Sequence, residues 1–236
     1  MSFLVFSPAL NMVGRAARGC AFQAALSRAR HAFLNPLTMD EASSQHEKIR
    51  EHFEQSASVK VQTLELNAGN IIKATQLIVE CFQSDGKVLI CGNGGSAADA
   101  QHIAAEFMNR LRGGLERPGL PAVALTTDTS FLTAYANDIG FDGVFEREVL
   151  ALGRPGDVLI AISTSGRSRN VVLAVQAAKR KGMRVLALSG EGGDLAAKAD
   201  IAVVIPNRDT QYIQESLLTV EHVICAAVED AMFGKA

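Results

Sequence analysis

Apolar positions recur at three- and four-residue intervals over residues 41–66 and again over 70–84, where Ile71, Ile72, Leu77, Ile78, Cys81 and Phe82 carry the pattern. This spacing predicts two long helices ahead of any sheet. Five short apolar runs follow, Val88–Cys91, Ala122–Leu125, Val158–Ile162, Arg184–Leu188 and Ile201–Ile205, each continuous rather than alternating. Runs of that kind read as strands buried on both faces, as in a parallel sheet. Helical spacing returns between them, over 96–112, 129–151, 169–181 and 192–199, and finally over 211–232. Strands alternating with helices imply right-handed crossovers, so the pattern predicts an α/β fold: a doubly wound five-stranded parallel sheet flanked by helices.

Composition agrees with one principal domain, at 48% hydrophobic and 20% charged residues. Every long apolar run is cut by Gly, Lys, Asp or Glu before reaching the roughly 18–20 residues of a membrane-spanning helix, which excludes a transmembrane segment. Cys20, Cys81, Cys91 and Cys225 show no C-x-x-C spacing and are expected to be buried, reduced thiols of a cytoplasmic protein.

Charge changes the picture only when divided along the chain. Residues 1–38 hold four of the 23 basic residues (Arg15, Arg18, Arg28 and Arg30) and none of the 25 acids. That leaves 19 basic against 25 acidic residues from Met39 onward, a formal −6 beside the +4 of the leading segment. An acidic body argues against nucleic acid as a partner. The Arg-rich, acid-free leader has the composition of an organelle transit segment, while its apolar run is too short for a secretory signal. A start assigned too far upstream explains it equally, since Met39 is followed at once by a polar cluster and a helical pattern. Residues 1–38 are therefore expected to be a disordered extension, with the domain spanning 39–236.

In such sheets ligands bind beyond the carboxyl ends of the strands, so the loops after each strand are where chemistry is expected. After the first comes Gly92-Asn93-Gly94-Gly95-Ser96-Ala97, small enough for backbone amides to approach an anion at a helix N-terminus. It also fits the dinucleotide pattern G-x-G-x-x-A, but the acid that pattern requires about 20 residues on is absent, Asp128 coming too late. After the third comes Ser163-Thr164-Ser165-Gly166-Arg167-Ser168, four hydroxyls leading into a helix, suited to a phosphate dianion. His102 and Glu106, four apart, share one helix face and can hold a metal or pass a proton. Gln214 and His222 stand eight apart, about 80° around a helix and about 12 Å along it, so they meet one ion only if it sits midway; otherwise they serve different sites.

Taken together, CGNGGSAADAQHIAAEF, TAYANDIGF, GDVLIAISTSGRSRNV and YIQESLLTVEH resemble the phosphoheptose isomerase family of SIS-domain proteins, in the family's order and spacing, over about residues 45–232. The resemblance implies a SIS fold, aldose–ketose isomerisation of sedoheptulose 7-phosphate through an enediolate, and a cytoplasmic homotetramer holding one zinc per subunit. It implies that Asn93, Gly94, Gly95 and Ser96, with Asn137 and Asp138, line the sugar phosphate, and that Ser163, Thr164, Ser165 and Ser168 hold the phosphate. It assigns His102, Glu106, Gln214 and His222 to the metal, Gln214 and Glu106 also to substrate, and Glu106 and His222 to acid–base chemistry. The competing reading is a non-catalytic SIS module that binds a sugar phosphate and a protein partner such as the replication initiator. Such relatives lack the acid and histidine that stand here at Glu106 and His222. One departure is Gln211, where some members carry an acid.

Overall fold

The computed structural model describes residues 38–234, so the leading segment and its expected disorder lie outside the described residues. Contacts divide the chain into residues 1–52 and 53–236. The described part of the first unit is helical, with Thr38 capping it through hydrogen bonds to Glu41.

Five strands form one parallel sheet: β1 (Val88–Cys91), β2 (Ala122–Ala124), β3 (Val158–Ser163), β4 (Arg184–Gly190) and β5 (Ile201–Ile205), in the order β2-β1-β3-β4-β5. Alternate side chains along the central strands enter two separate apolar layers. Val88, Ile90, Ile160, Ile162 and Leu188 pack with helices α1 (Met39–Gln83), α2 (Gly95–Met108) and α7 (Thr210–Phe233). Leu89, Cys91, Leu159, Ala161 and Val185 pack on the other face with α4 (Val144–Leu152) and α5 (Arg169–Arg180). Helices α3 (Thr129–Asp138) and α6 (Leu195–Lys198) complete the crossovers. Among the described residues no helix is long and apolar enough to cross a membrane. Cys81, Cys91 and Cys225 are buried free thiols, and burial raises the pKa of all three.

Four expectations are corrected. The two N-terminal helices are one 45-residue helix, which runs through the gap in the apolar pattern over 67–69 while Asn67 and Asn70 are satisfied by the edge strand. Asn67 donates to the carbonyl of Val204 and accepts from its amide, and Asn70 donates to the carbonyl of Ala202, which occupies the unpaired side of β5. The helix expected over 129–151 is interrupted at Gly140, whose φ of 129° is accessible only to glycine, and a single 3₁₀ turn over Phe141–Gly143 leads into α4. Helix α2 stops at Met108 rather than 112, where Arg117 takes up the carbonyls of Glu106 and Phe107. The helix expected over 192–199 shrinks to Leu195–Lys198, since Gly192 and Gly193 both hold positive φ.

Helix α4 carries Glu148, one of whose carboxylate oxygens is buried with no hydrogen-bond partner among the described residues. Burial first, then the charge of Asp128, pushes its pKa up from 4.5 to about 7. The folded protein therefore holds this proton more tightly than the unfolded chain does. The stability it confers is fully present below about pH 4.5 and is lost as the pH rises through about 7. Glu148→Gln is expected to raise the Tm at pH 8 and to flatten its decline between pH 5 and 8; melts across that range check it, and an unchanged profile would contradict the assignment.

Candidate functional site

In the order β2-β1-β3, the chain reverses its winding direction between β1 and β3, so the loops after these two strands lie side by side at the carboxyl edge. They are joined by a reciprocal amide pair: the Asn93 amide donates to Asn170 Oδ1 and the Asn170 amide donates to Asn93 Oδ1, both at 2.9 Å. Asn170, which the sequence reading did not single out, thus fixes the first loop against the second. Gly94 turns the chain into α2 at φ 57° and ψ −120°, with no side chain spent on capping.

The second loop brings its hydroxyls together. Ser163 Oγ lies 2.9 Å from Ser168 Oγ and 3.4 Å from Ser165 Oγ. Ser168 is the N-cap of α5 yet makes no side-chain capping bond, so its hydroxyl is not committed to the helix. Gly166, at φ 64°, sits where a Cβ would fall 2.3 Å from the carbonyl oxygen of Gly192, so the hairpin-tight loop depends on glycine there. Hydroxyls at the start of a 12-residue helix offer donors and a favourable dipole to an anion.

Helices α2 and α7 pack against each other and supply the ionisable groups. The four metal candidates fall into two clusters. His102 Nε2 and His222 Nε2 are 2.7 Å apart, their rings edge to face, and His102 Nε2 is 3.6 Å from Glu106 Oε1. One proton must lie between the two nitrogens for that contact to be a hydrogen bond. Gln214 turns elsewhere: its amide nitrogen donates to Asp99 Oδ2, and its Oε1 accepts from Ser96 Oγ at 3.3 Å. The eight-residue separation of Gln214 and His222 is thus resolved into different partners. Asp99 is buried, and burial raises its pKa while the Gln214 bond opposes the rise. This contact leaves Oε1 of Gln214 facing Gly95 and Ser96, the floor of the first loop.

His102 meets both His222 and Glu106, imidazole and carboxylate donors of the kind zinc takes, but among the described residues no three His, Cys, Asp or Glu side chains are arranged to hold a metal ion. Asn137 and Asp138 end α3, exposed, and the Asn137 amide donates to Asp138 Oδ1 at 2.8 Å. None of the hydrogen bonds of the described residues joins either of them to the two loops.

One further group at this interface was not foreseen. Glu221, one residue before His222, is 2% exposed, and neither carboxylate oxygen has a hydrogen-bond partner among the described residues. It faces a small apolar cavity with Ile103, Phe107, Leu186 and Ile224. Burial, then the charge of Asp99, pushes its pKa up to about 9. An acid among the inward positions of α7, seven residues after Gln214, is the only trace it leaves in the sequence.

Residues 51–190 match the SIS domain family. The phosphoheptose isomerase of Roseiflexus sp. (strain RS-1) is 51% identical over 186 residues, 78% of this chain and 93% of that protein. Of solved structures, phosphoheptose isomerase GmhA from Neisseria gonorrhoeae superposes with a TM-score of 0.74 at 45% identity, covering 79% of this chain and 99% of its own. A phosphoheptose isomerase from Francisella tularensis gives a TM-score of 0.75 at 37% identity, covering 79% and 98%.

Proposed function

The chain belongs to the phosphoheptose isomerases of the SIS-domain family, and from that membership we propose that it interconverts sedoheptulose 7-phosphate and D-glycero-D-manno-heptose 7-phosphate. The single observation that carries the chemistry is the meeting of Glu106 with the His102–His222 pair beside the two strand-terminal loops. An aldose–ketose isomerase must move one proton between C1 and C2 and manage the charge on two oxygens. A carboxylate and an imidazole are the groups for this.

The phosphate of the open-chain sugar lies against Ser163, Thr164, Ser165 and Ser168, at the positive end of α5. Asn93, Gly94, Gly95 and Ser96 form the wall along the sugar, and the Oε1 of Gln214 accepts from one of its hydroxyls. Asn137 and Asp138 reach it from the end of α3. Glu106 takes the proton from C1 of the ketose and returns it to C2, passing through an enediolate. Its side chain is 17% exposed, enough for the abstracted proton to exchange with water before it is returned. His222 gives a proton to O2 and takes one from the C1 hydroxyl, so the oxygen-bound protons balance over the reaction. His102, Glu106, Gln214 and His222 would hold one zinc ion per subunit, which would supply Lewis acidity at the substrate carbonyl.

Assembly into a homotetramer belongs to the same reading. Val61, Leu64, Ile72 and Val223 are exposed on α1 and α7 around an apolar groove of about 440 Å³, a surface that a second copy would cover. The same reading puts the protein in the cytoplasm, a compartment that keeps thiols reduced. The test is turnover of sedoheptulose 7-phosphate by the purified full chain, stripped of metal and then reloaded with zinc. Aldose formation restored by zinc supports the whole reading. Binding of the sugar phosphate without turnover in either state would instead favour the non-catalytic SIS module.

A further inference from the structure

None of the residues assigned to the substrate is Lys or Arg, while Glu106 and Asp138 among them, and Asp99 behind Gln214, are acids. A phosphate monoester brings a charge of about −1.5 to −2 at neutral pH, which hydroxyl groups alone do not neutralise. The missing cations stand on the outer side of the hydroxyl loop. There the loops after β3, β4 and β5 enclose a pocket of about 410 Å³ whose walls include Thr164, Ser165, Arg167, Glu191, Arg208 and Thr210. Two of these, Thr164 and Ser165, belong to the hydroxyl loop itself, so the pocket and the cradle share a wall.

Arg167 lies over Gly192, where a Cβ would come within 3.1 Å of its Nη2, and among the described residues no carboxylate is within ion-pair distance of it. Arg208 approaches one acid, Glu191, at 3.7 Å, with its side chain 89% exposed, a contact of little energetic value. Two guanidinium groups against one carboxylate leave the pocket with a net positive charge. Asp209, the adjacent acid, is turned away from it to cap α7 through the amide of Gln211.

Resting on the isomerase reading, we propose that Arg167 and Arg208 are binding residues for the substrate's phosphate group, meeting it at Thr164 and Ser165, which the pocket and the hydroxyl loop share. The guanidinium fork suits two phosphate oxygens at once, and charge-assisted bonds of this kind exceed those of neutral hydroxyls. Because neither side chain belongs to the proton-transfer cluster on α2 and α7, they act on binding and leave the chemical step alone.

The experiment compares the full chain with Arg167→Ala, Arg208→Ala, the double alanine variant and the double lysine variant. It measures KM and kcat for sedoheptulose 7-phosphate and, by calorimetry without sugar, the Kd of inorganic phosphate. Loss of charge-assisted bonds is expected to raise KM and the phosphate Kd about tenfold or more in the double alanine variant, with kcat within about twofold and the lysine variant between it and the parent. KM and phosphate Kd both unchanged, or a fall in kcat at constant KM, would overturn the assignment. If the double variant fails to fold, the single Arg208→Ala, in a side chain that supports no packing, carries the same comparison. Parent turnover reads the isomerase proposal and phosphate binding reads the arginines, so either can fail without the other.

Discussion

Glu106→Gln is expected to lower kcat about a thousandfold, within the range that positioned acid–base groups contribute, while the sugar phosphate still binds with a Kd close to that of the parent. The carboxylate is the only group in the cluster of Glu106, His102 and His222 whose oxygen can accept a carbon-bound proton and return it to the neighbouring carbon on the same face. Glutamine keeps the size and the acceptor oxygen but has no site for that proton. Because Glu106 is held on α2 by backbone bonds and, among the described residues, its one ion pair is with His102 at 3.6 Å, the substitution leaves the fold and the melting temperature unaltered. Steady-state kinetics beside calorimetry check this. A variant that retains most of its kcat would remove Glu106 from the proton path.

The second large effect is on stability. Glu229→Ala is expected to destabilise the protein by about 3–5 kcal/mol, the range found when one partner of a buried ion pair is removed. Arg117 and Glu229 are 0% and 1% exposed and lie 2.9 Å apart. Glu229 also accepts the amides of Leu111 and Arg112, while Arg117 donates to the carbonyls of Glu106, Phe107 and Pro118. Without the carboxylate the guanidinium stays buried and unpaired, and two amides lose their acceptor. The damage extends to catalysis, because the same arginine ties down the backbone of Glu106 at the carboxyl end of α2. Denaturant unfolding and turnover measured together check this. Replacing both residues with Met and Leu is expected to recover much of the stability but less of the activity, since the carbonyls of α2 remain without their donor.

The layered architecture was legible because all five strands lie in one parallel sheet and the inner ones, buried on both faces, leave continuous apolar runs. β2 shows the limit: as an edge strand it exposes Val123, and it is shorter than its run suggests. The break at Gly140 was hidden because apolar spacing continues across it from Leu132 to Val149. The N-terminal helix was divided because the apolar pattern lapses over residues 67–69, a gap that the helix bridges with Asn67 and Asn70 bonded to β5, more than 130 residues later.

The site divides the same way. His102 and Glu106 share a helix face, so four-residue spacing was enough to join them. Gln214 and His222 were ambiguous at a separation of eight, and the partners that separate them, Asp99 and His102, lie on another helix. Asn170, Glu221 and the Arg117–Glu229 pair act through contacts between distant segments, for which no local pattern exists. The arginines beside the hydroxyl loop are the same case, since only the fold brings the loops after β3, β4 and β5 to one pocket.

The most direct measurement is NMR of sedoheptulose 7-phosphate incubated with the zinc-loaded full chain in D₂O. Proton transfer by Glu106 through an enediolate predicts an aldose heptose 7-phosphate carrying solvent deuterium at C2, with neither aldose nor label in Glu106→Gln. Bound ketose that gains neither deuterium nor an aldose signal would contradict the account, leaving a protein that holds the sugar phosphate without isomerising it.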